Sequence, residues 1–273
     1  KLIDAYNNQE DYTSAFDLIP MALKKNNLTP KEQDLIQYIQ LKFSLNQSTK
    51  ENKAKFTEFI KNSIESFPNQ ETFLDKLTIL DNLAEESKDE SLTKWVALQT
   101  LKITNDLMVH KISEDSFISQ TDIYFIRADA FEKLGSKTEA QFVYKLATKE
   151  IEQQIKKYKL DIKTNRGFNL DRVYAIYKSG DFPTADTLYK DLIKVYPEEF
   201  TFYYNHASVL KELNKKEEAL TQAQKALDFS YGDNKLRAAY LTADLMKDLD
   251  KKSESKKVID EVITSFSLPE NKS

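Results

Sequence analysis

The sequence predicts an all-α protein, on three observations. Only 4 Gly and 6 Pro punctuate 273 residues. A β-rich or α/β chain of this length needs many more turn residues, whereas helices joined by short polar links do not. Apolar residues recur at helical spacing along the chain, with mixed-charge residues between them. A pattern of small and large residues also returns every 34 positions: Val173, Ile176, Ala185, Tyr189 and Leu192 are answered by Ala207, Leu210, Ala219, Ala223 and Ala226. A fixed period of that size marks a helix-pair array rather than a single closed core.

The same template extends both ways. Upstream it holds Ala128, Phe131, Gly135, Ala140, Tyr144 and Ala147; downstream it holds Ala243, Met246, Ser255, Ile259 and Val262, after a two-residue lengthening at SYGDN. The segment Lys215–Leu227, KKEEALTQAQKAL, places alanines at 219, 223 and 226, on the line that ought to face the core. Small side chains belong where two antiparallel helices cross closely. Ala207 and Ala219 are expected to meet within one repeat, and Ala226 to meet the first helix of the next.

These residues resemble the tetratricopeptide repeats, a 34-residue helix-turn-helix family, over residues 121–267, and less regularly over the first 120. The resemblance implies a right-handed α-solenoid of about six antiparallel helix pairs. It divides the chain into a divergent helical-repeat region, 1–120, and a repeat array, 121–273.

The links agree with the array. LNKKEEA, KSGDFPTA and LGSKTEA are short polar turns, with Gly135 and Gly180 where a helix can end in the left-handed region. Pro183 falls just inside a second helix, where a missing N–H costs little. From Ala140 to Ala185 the spacing is 45 residues rather than 34. The excess of 11 is close to three turns at 3.6 residues each, so TKEIEQQIKKYKL predicts a second helix extended to about 138–163.

In the first 120 residues, Ala15, Ile19 and Ala22 take the small-large-small positions of a second helix, and Pro20 predicts a kink in it. Few residues precede that helix, so its partner would be truncated and further chain is expected before Lys1. Apolar periodicity predicts helices at about 31–46, 51–67, 71–86 and 90–110, with Pro68 closing one unit and Trp95 anchoring a helix-pair core.

Chemistry is thinly represented. The two histidines are His110, near a helix end where a cation is favoured, and His206, beside a packing alanine and read as a structural or surface residue. No HExxH, GxSxG, glycine-rich phosphate loop or calcium-loop spacing occurs, and the carboxylates lie in solvated mixed-charge runs such as EESKDES and KKSESKK. The absence of cysteine removes disulfides, thiolate zinc sites and cysteine nucleophiles. It leaves the compartment open: a Lys/Asn-rich cytoplasmic protein and an exported bacterial one both fit. A net charge of −4 and a pI near 5.5 supply no footprint for nucleic acid, and no apolar run approaches the roughly 20 residues that cross a bilayer. No enzyme activity, cofactor, metal or membrane insertion is expected.

Partners of tetratricopeptide arrays lie against the first helix of each repeat. Carried onto this chain, the groove-facing positions are Phe125 and Asp129; Asp171, Tyr174 and Tyr177; Tyr204, Asn205 and Ser208; and Arg237, Tyr240 and Asp244. Tyrosine gives contact area at small entropy cost, and an asparagine can hydrogen-bond an extended backbone. The same aromatics could instead fill the space between helices. The family's clamp for C-terminal carboxylates needs Lys and Asn where this chain has Leu170 and Tyr174, and Lys or Arg in a later repeat, so that ligand is not expected. The expectation is a non-enzymatic scaffold that binds a protein or peptide segment. Alternatives are a C-terminal docking arm of a larger protein and a sensor of signalling peptides. Val258, Val262 and Phe266 on the last helix could be capped or could pair two arrays, so the oligomeric state stays open.

Overall fold

The computed structural model describes residues 12–24, 28, 33, 36, 38–40, 42–43, 50–65, 73–109, 119–161, 163–232 and 234–265. Among them there are thirteen helices and no strand. In chain order these are α1 (Tyr12–Asp17), α2 (Ile19–Ala22), α3 (Lys50–Glu65), α4 (Phe73–Glu86), α5 (Glu90–Val109), α6 (Gln120–Lys133), α7 (Lys137–Tyr158), α8 (Arg166–Lys178), α9 (Phe182–Val195), α10 (Phe200–Glu212), α11 (Lys216–Phe229), α12 (Asn234–Asp248) and α13 (Lys252–Ser265). They form two compact units: residues 1–118 with 133–135, and residues 119–132 with 136–273.

In the first unit, Ala15 and Ile19 close on Ile36 and Ile39, and the rings of Phe16 and Phe43 stack at 4.0 Å. The expected kink at Pro20 is a break instead. α1 and α2 are separate helices either side of Leu18, and Pro20 lies in the first turn of α2. Proline has no N–H to continue the ladder, so the chain restarts with Met21 and Ala22 both donating to the Leu18 carbonyl, at 3.2 and 3.1 Å. Further on, α3, α4 and α5 bury Phe56, Ile60, Leu77, Leu83, Leu92 and Val96. Asp89 caps α5 by accepting from the N–H groups of Ser91 and Leu92, at 3.0 and 3.1 Å. Trp95 is half-buried rather than central, with the Lys61 ammonium 5.5 Å from its ring centroid. His110, Pro68 and Phe266 lie outside the described residues.

The second unit is an α-solenoid of four consecutive pairs: α6/α7, α8/α9, α10/α11 and α12/α13. One turn is built four times. The N–H groups of Ser136, Asp181, Lys215 and Lys251 reach back five residues to the carbonyls of Phe131, Ile176, Leu210 and Met246, at 2.9, 3.3, 2.9 and 2.8 Å. That closure needs a left-handed residue just before the donor. Gly135 and Gly180 supply it with φ of 76° and 91°, while Asn214 and Asp250 adopt it at 57° and 60°. Asparagine and aspartate tolerate this region better than other side chains, which is why the later turns dispense with glycine.

Small residues line the crossings. Ala207, Ala219 and Ala223 share one cluster with Leu210 and Leu245, and Ala226 meets Phe200, Tyr203 and Ala238 of the adjoining helices. All of these alanines have no exposed surface. Close helix approach near the lower end of the usual 8–10 Å leaves room for a methyl group and little more.

α7 is the long second helix, with 22 residues against 14 in α9, α11 and α13. The added length is eight residues, about two turns rather than three. It ends at Lys159, which is left-handed at φ 50°. The remaining insertion is a turn gathered on the Asp161 carbonyl, which accepts from the N–H groups of Thr164 and Asn165 at 3.2 and 3.0 Å and from the Asn165 amide at 3.1 Å. Such local bonds compete with continued helix. The extension is packed: Ile151 clusters with Ala175 of α8, and Glu152 pairs with Arg172 at 3.1 Å.

Ala226→Leu forces extra methylenes into the α11–α12 crossing and should cost about 2 kcal/mol, lowering the thermal midpoint. Gln224→Leu, exposed on the same helix, should change stability by about 0.5 kcal/mol or less. Calorimetry of the two variants checks the difference, and equal midpoints would mean the crossing is not tight.

Candidate functional site

The positions singled out in the sequence sit on the first helices α6, α8, α10 and α12, and they fall into two groups. Phe125, Asp129, Tyr174 and Tyr177 gather at α6 and α8. The Phe125 and Tyr174 ring centroids are 6.1 Å apart, and Tyr174 and Tyr177 are 6.4 Å apart at 70°. Two residues outside the expected set complete this group. Tyr144 of α7 stands edge-on to Tyr174 at 6.2 Å and 89°, and Phe182 of α9 lies 6.1 Å from Tyr177. The edge-to-face geometry suits aromatic quadrupoles. Tyr144 holds a large packing position of its repeat, which is why sequence reasoning assigned it to the core alone.

Lys178, at the end of α8, is the other addition. Its ammonium lies 5.6 Å from the Tyr144 ring centroid and 5.9 Å from that of Tyr174, and it bonds Glu132 at 2.7 Å. Burial pushes the Tyr144 and Tyr174 phenols upward, and Asp129 and Glu132 add to this through their negative charge. Burial likewise raises Tyr177 to about 12, with Glu212 next in effect. These rings are neutral hydroxyl donors in any ordinary buffer.

The second group is Tyr204, Arg237, Tyr240 and Asp244, which line an open cleft with Lys247, Lys252 and Lys256. The Arg237 guanidinium sits 5.3 Å from the Tyr204 ring centroid. Tyr240 is 58% exposed. Asp244 is already paired with Lys211, which also lies 3.9 Å from Asp248. Ser208 turns its hydroxyl back to the Tyr204 carbonyl at 3.3 Å. Asn205 approaches the buried Tyr189 hydroxyl without closing a well-formed hydrogen bond.

The aromatics serve two purposes. Phe125 and Tyr174 pack on Ala128, Ala140, Val143 and Tyr144, and Tyr177 packs on Val173, Ile176 and Tyr189. They are half-buried: one side fills the space between helices, the other lies on the face of the first helices.

The most concentrated polar chemistry is elsewhere, between α9, α10 and α11. His206 is 2% exposed. Its Nε2 is 2.7 Å from Asp186 Oδ1, while Asp186 Oδ2 accepts from Lys190 at 2.9 Å and Lys215 at 3.1 Å. The Tyr189 ring stacks on the imidazole at 5.9 Å. A carboxylate at Nε2 fixes that nitrogen as the donor, leaving Nδ1 as an unpartnered lone pair. Burial of Asp186 opposes its ionisation, but hydrogen bonds from His206, Lys190 and Lys215 outweigh it and hold the carboxyl at about 2. Burial depresses His206 below its ordinary 6.5, against the pull of Asp186. The arrangement ties three helices together around one carboxylate. Among the described residues, no group of three or more His, Asp or Glu could hold a metal ion, and no helix is long and apolar enough to cross a membrane.

Both shifts make acid destabilising. The folded state takes up fewer protons at His206 than the unfolded chain does, so that contribution is complete above 6.5 and lost as pH falls below it. The Asp186 contribution is present above 3.8 and lost as pH falls towards about 2. Urea midpoints should therefore decline between pH 7 and pH 5 in the wild type and decline less in His206→Gln; parallel declines would show that His206 does not titrate differently on folding. Asp186→Ala should cost about 3 kcal/mol at neutral pH, read in the same assay.

Residues 121–154 and 200–231, which span α6/α7 and α10/α11, match the tetratricopeptide-repeat family model. No functionally curated protein matches the chain by sequence. Among solved structures it is similar to the tetratricopeptide-like repeats of a putative kinesin light chain from Podosopora anserina, at 11% identity and TM-score 0.47, covering 72% of this chain and 96% of that one. It is also similar to BtubC from P. vanneervenii, at 12% identity and TM-score 0.45, covering 85% and 95%. A third is NprR in complex with its cognate peptide NprX, at 13% identity and TM-score 0.45, covering 98% and 78%. The two matched segments, and the turn repeated at the centre of every pair in the second unit, show degenerate tetratricopeptide repeats within this chain.

Proposed function

We propose that the second unit is a non-enzymatic scaffold that binds an extended segment of another protein, or a peptide, across the first helices of its repeats. The observation that carries this reading is the row of half-buried rings Phe125, Tyr174, Tyr177 and Tyr204, continued by the exposed Tyr240. Each ring of the half-buried row is anchored on one side by core packing, so its other side meets a ligand with little further loss of rotamer freedom. Binding is then passive: the segment loses water against preformed rings, and backbone hydrogen bonds fall to hydroxyls such as Tyr240 and Tyr204 at the rim.

Peptides selected from a random-sequence display library on the wild-type protein test this. The Tyr204→Ala, Tyr240→Ala double variant, its folding checked by circular dichroism, should bind them at least about tenfold more weakly. Phe142→Ala removes an exposed ring from the second helix α7 and should leave affinity unchanged. Loss only in the Phe142 variant would move the interface to the second helices and overturn the proposal.

A further inference from the structure

The ring row lies among carboxylates. Asp122, Asp129 and Glu132 accompany it on α6, Asp171 on α8 and Glu212 on α10, and the charges of Asp129, Glu132 and Glu212 are felt at the tyrosines. The α6–α8 face is ordered in layers by helical spacing. Phe125 and Tyr174 form the middle layer. Towards the helix C-termini, about two turns beyond Phe125 on α6, Glu132 is neutralised by Lys178, one turn beyond Tyr174 on α8, whose ammonium also lies over the Tyr144 and Tyr174 rings. One turn towards the N-termini, Asp122 and Asp171 hold matching positions, each three residues before its ring on α6 or α8, and no lysine or arginine among the described residues forms a salt bridge with either. Asp122 accepts hydrogen bonds from the Ser119 N–H and hydroxyl, at 2.8 and 2.7 Å, which position it without neutralising it. Desolvation and then the Asp122 charge raise the Asp171 pKa, as expected of a carboxylate lacking a counter-charge.

The chain's own cations show what these ring faces accept. Lys178 sits over two of them, and Arg237 sits over Tyr204 at 5.3 Å. A ring face bordered by carboxylates is attractive to a cation on two counts, quadrupole and charge. The geometry points to a partner polypeptide that presents an arginine or lysine side chain to the α6–α8 face, its charge set between Asp122 and Asp171 and its stem or guanidinium plane on the Phe125–Tyr174 rings. This rests on the groove reading above and specifies its ligand. The polarity is opposite to that of a carboxylate clamp. Guanidinium fits better than ammonium, because its planar fork can bond two carboxylates while stacking on a ring.

The test uses the whole chain and a short fluorescent glycine–serine peptide carrying spaced arginines, with versions that replace arginine by citrulline or by glutamate. Fluorescence anisotropy should show the arginine peptide binding about tenfold more tightly than the citrulline peptide, with that advantage shrinking as salt is added. In the Asp122→Asn, Asp171→Asn double variant the advantage should disappear, while Asp228→Asn, exposed on α11, keeps it. Asp171→Asn relieves a like-charge interaction, and the amide oxygen of Asp122→Asn can still accept from the Ser119 N–H and hydroxyl. The thermal midpoint of that variant should therefore stay close to that of the wild type, which separates lost binding from lost folding. Equal arginine and citrulline affinities, tighter binding of the glutamate peptide, no binding of the arginine peptide, or an undiminished advantage in the double variant would each overturn the inference. If charge proves irrelevant but Tyr204→Ala, Tyr240→Ala still weakens every peptide, the groove reading stands without it; if that variant weakens none, the groove reading itself fails.

Discussion

The second unit depends on close helix crossing. A repeat of two helices has no interior of its own, so each pair is stable only while its neighbours cover its open face. The alanines at 207, 219, 223, 226 and 238 let the backbones approach until that face is sealed with no exposed surface remaining. The left-handed turn makes the approach possible. By returning an N–H five residues to the end of the first helix, it reverses the chain within a few residues and sets the second helix at the crossing. Turn and crossing constrain each other, and the rest of the unit hangs on their repetition.

Repetition explains part of the ring row: Phe125, Tyr204 and Tyr240 hold the same repeat position on three first helices, while α8 has Leu170 there and supplies Tyr174 and Tyr177 from its following turns. The rings gain most of their burial from neighbouring helices: Phe125 and Tyr174 rest on alanines at 128 and 140, and Tyr177 rests on Val173 and Ile176. Packing rigidifies them, and their remaining surface is available at little entropic cost. Core and face are therefore two sides of the same residues, and a substitution at Tyr174 disturbs both, whereas Tyr240 at 58% exposure separates them.

Charge is distributed unevenly over this unit. The buried carboxylate, Asp186, has three donors and is fully committed to holding α9, α10 and α11 together. On the face of the first helices, Glu132 and Asp244 are neutralised by Lys178 and Lys211, while Asp122 and Asp171, at matching positions of α6 and α8, have no cation in a salt bridge with them among the described residues. Internal pairing satisfies the groups whose burial would otherwise be costly. What remains unbalanced lies at the surface, beside rings, where a partner can reach it.

Much of this was legible in the sequence because it follows from local chemistry repeated at a fixed period. Glycine at 135 and 180, alanine at 207, 219 and 226, and proline at 183 have only one comfortable place in a helix pair, so the all-α class, the pairing and the turns could be read directly. The first-helix positions were legible for the same reason. Tertiary structure decided the rest. Asn214 and Asp250 turn the chain without glycine, because the closing bond imposes the conformation. The length of α7 was set by competition between helix and the Asp161 turn, not by the size of the insertion. His206, Asp186, Lys190 and Lys215 come from three helices, and Tyr144 and Lys178 join the rings from outside the expected set. Sequence records which residues share a helix face; which faces meet depends on how closely helices from different repeats approach, and that distance exists only in the folded array.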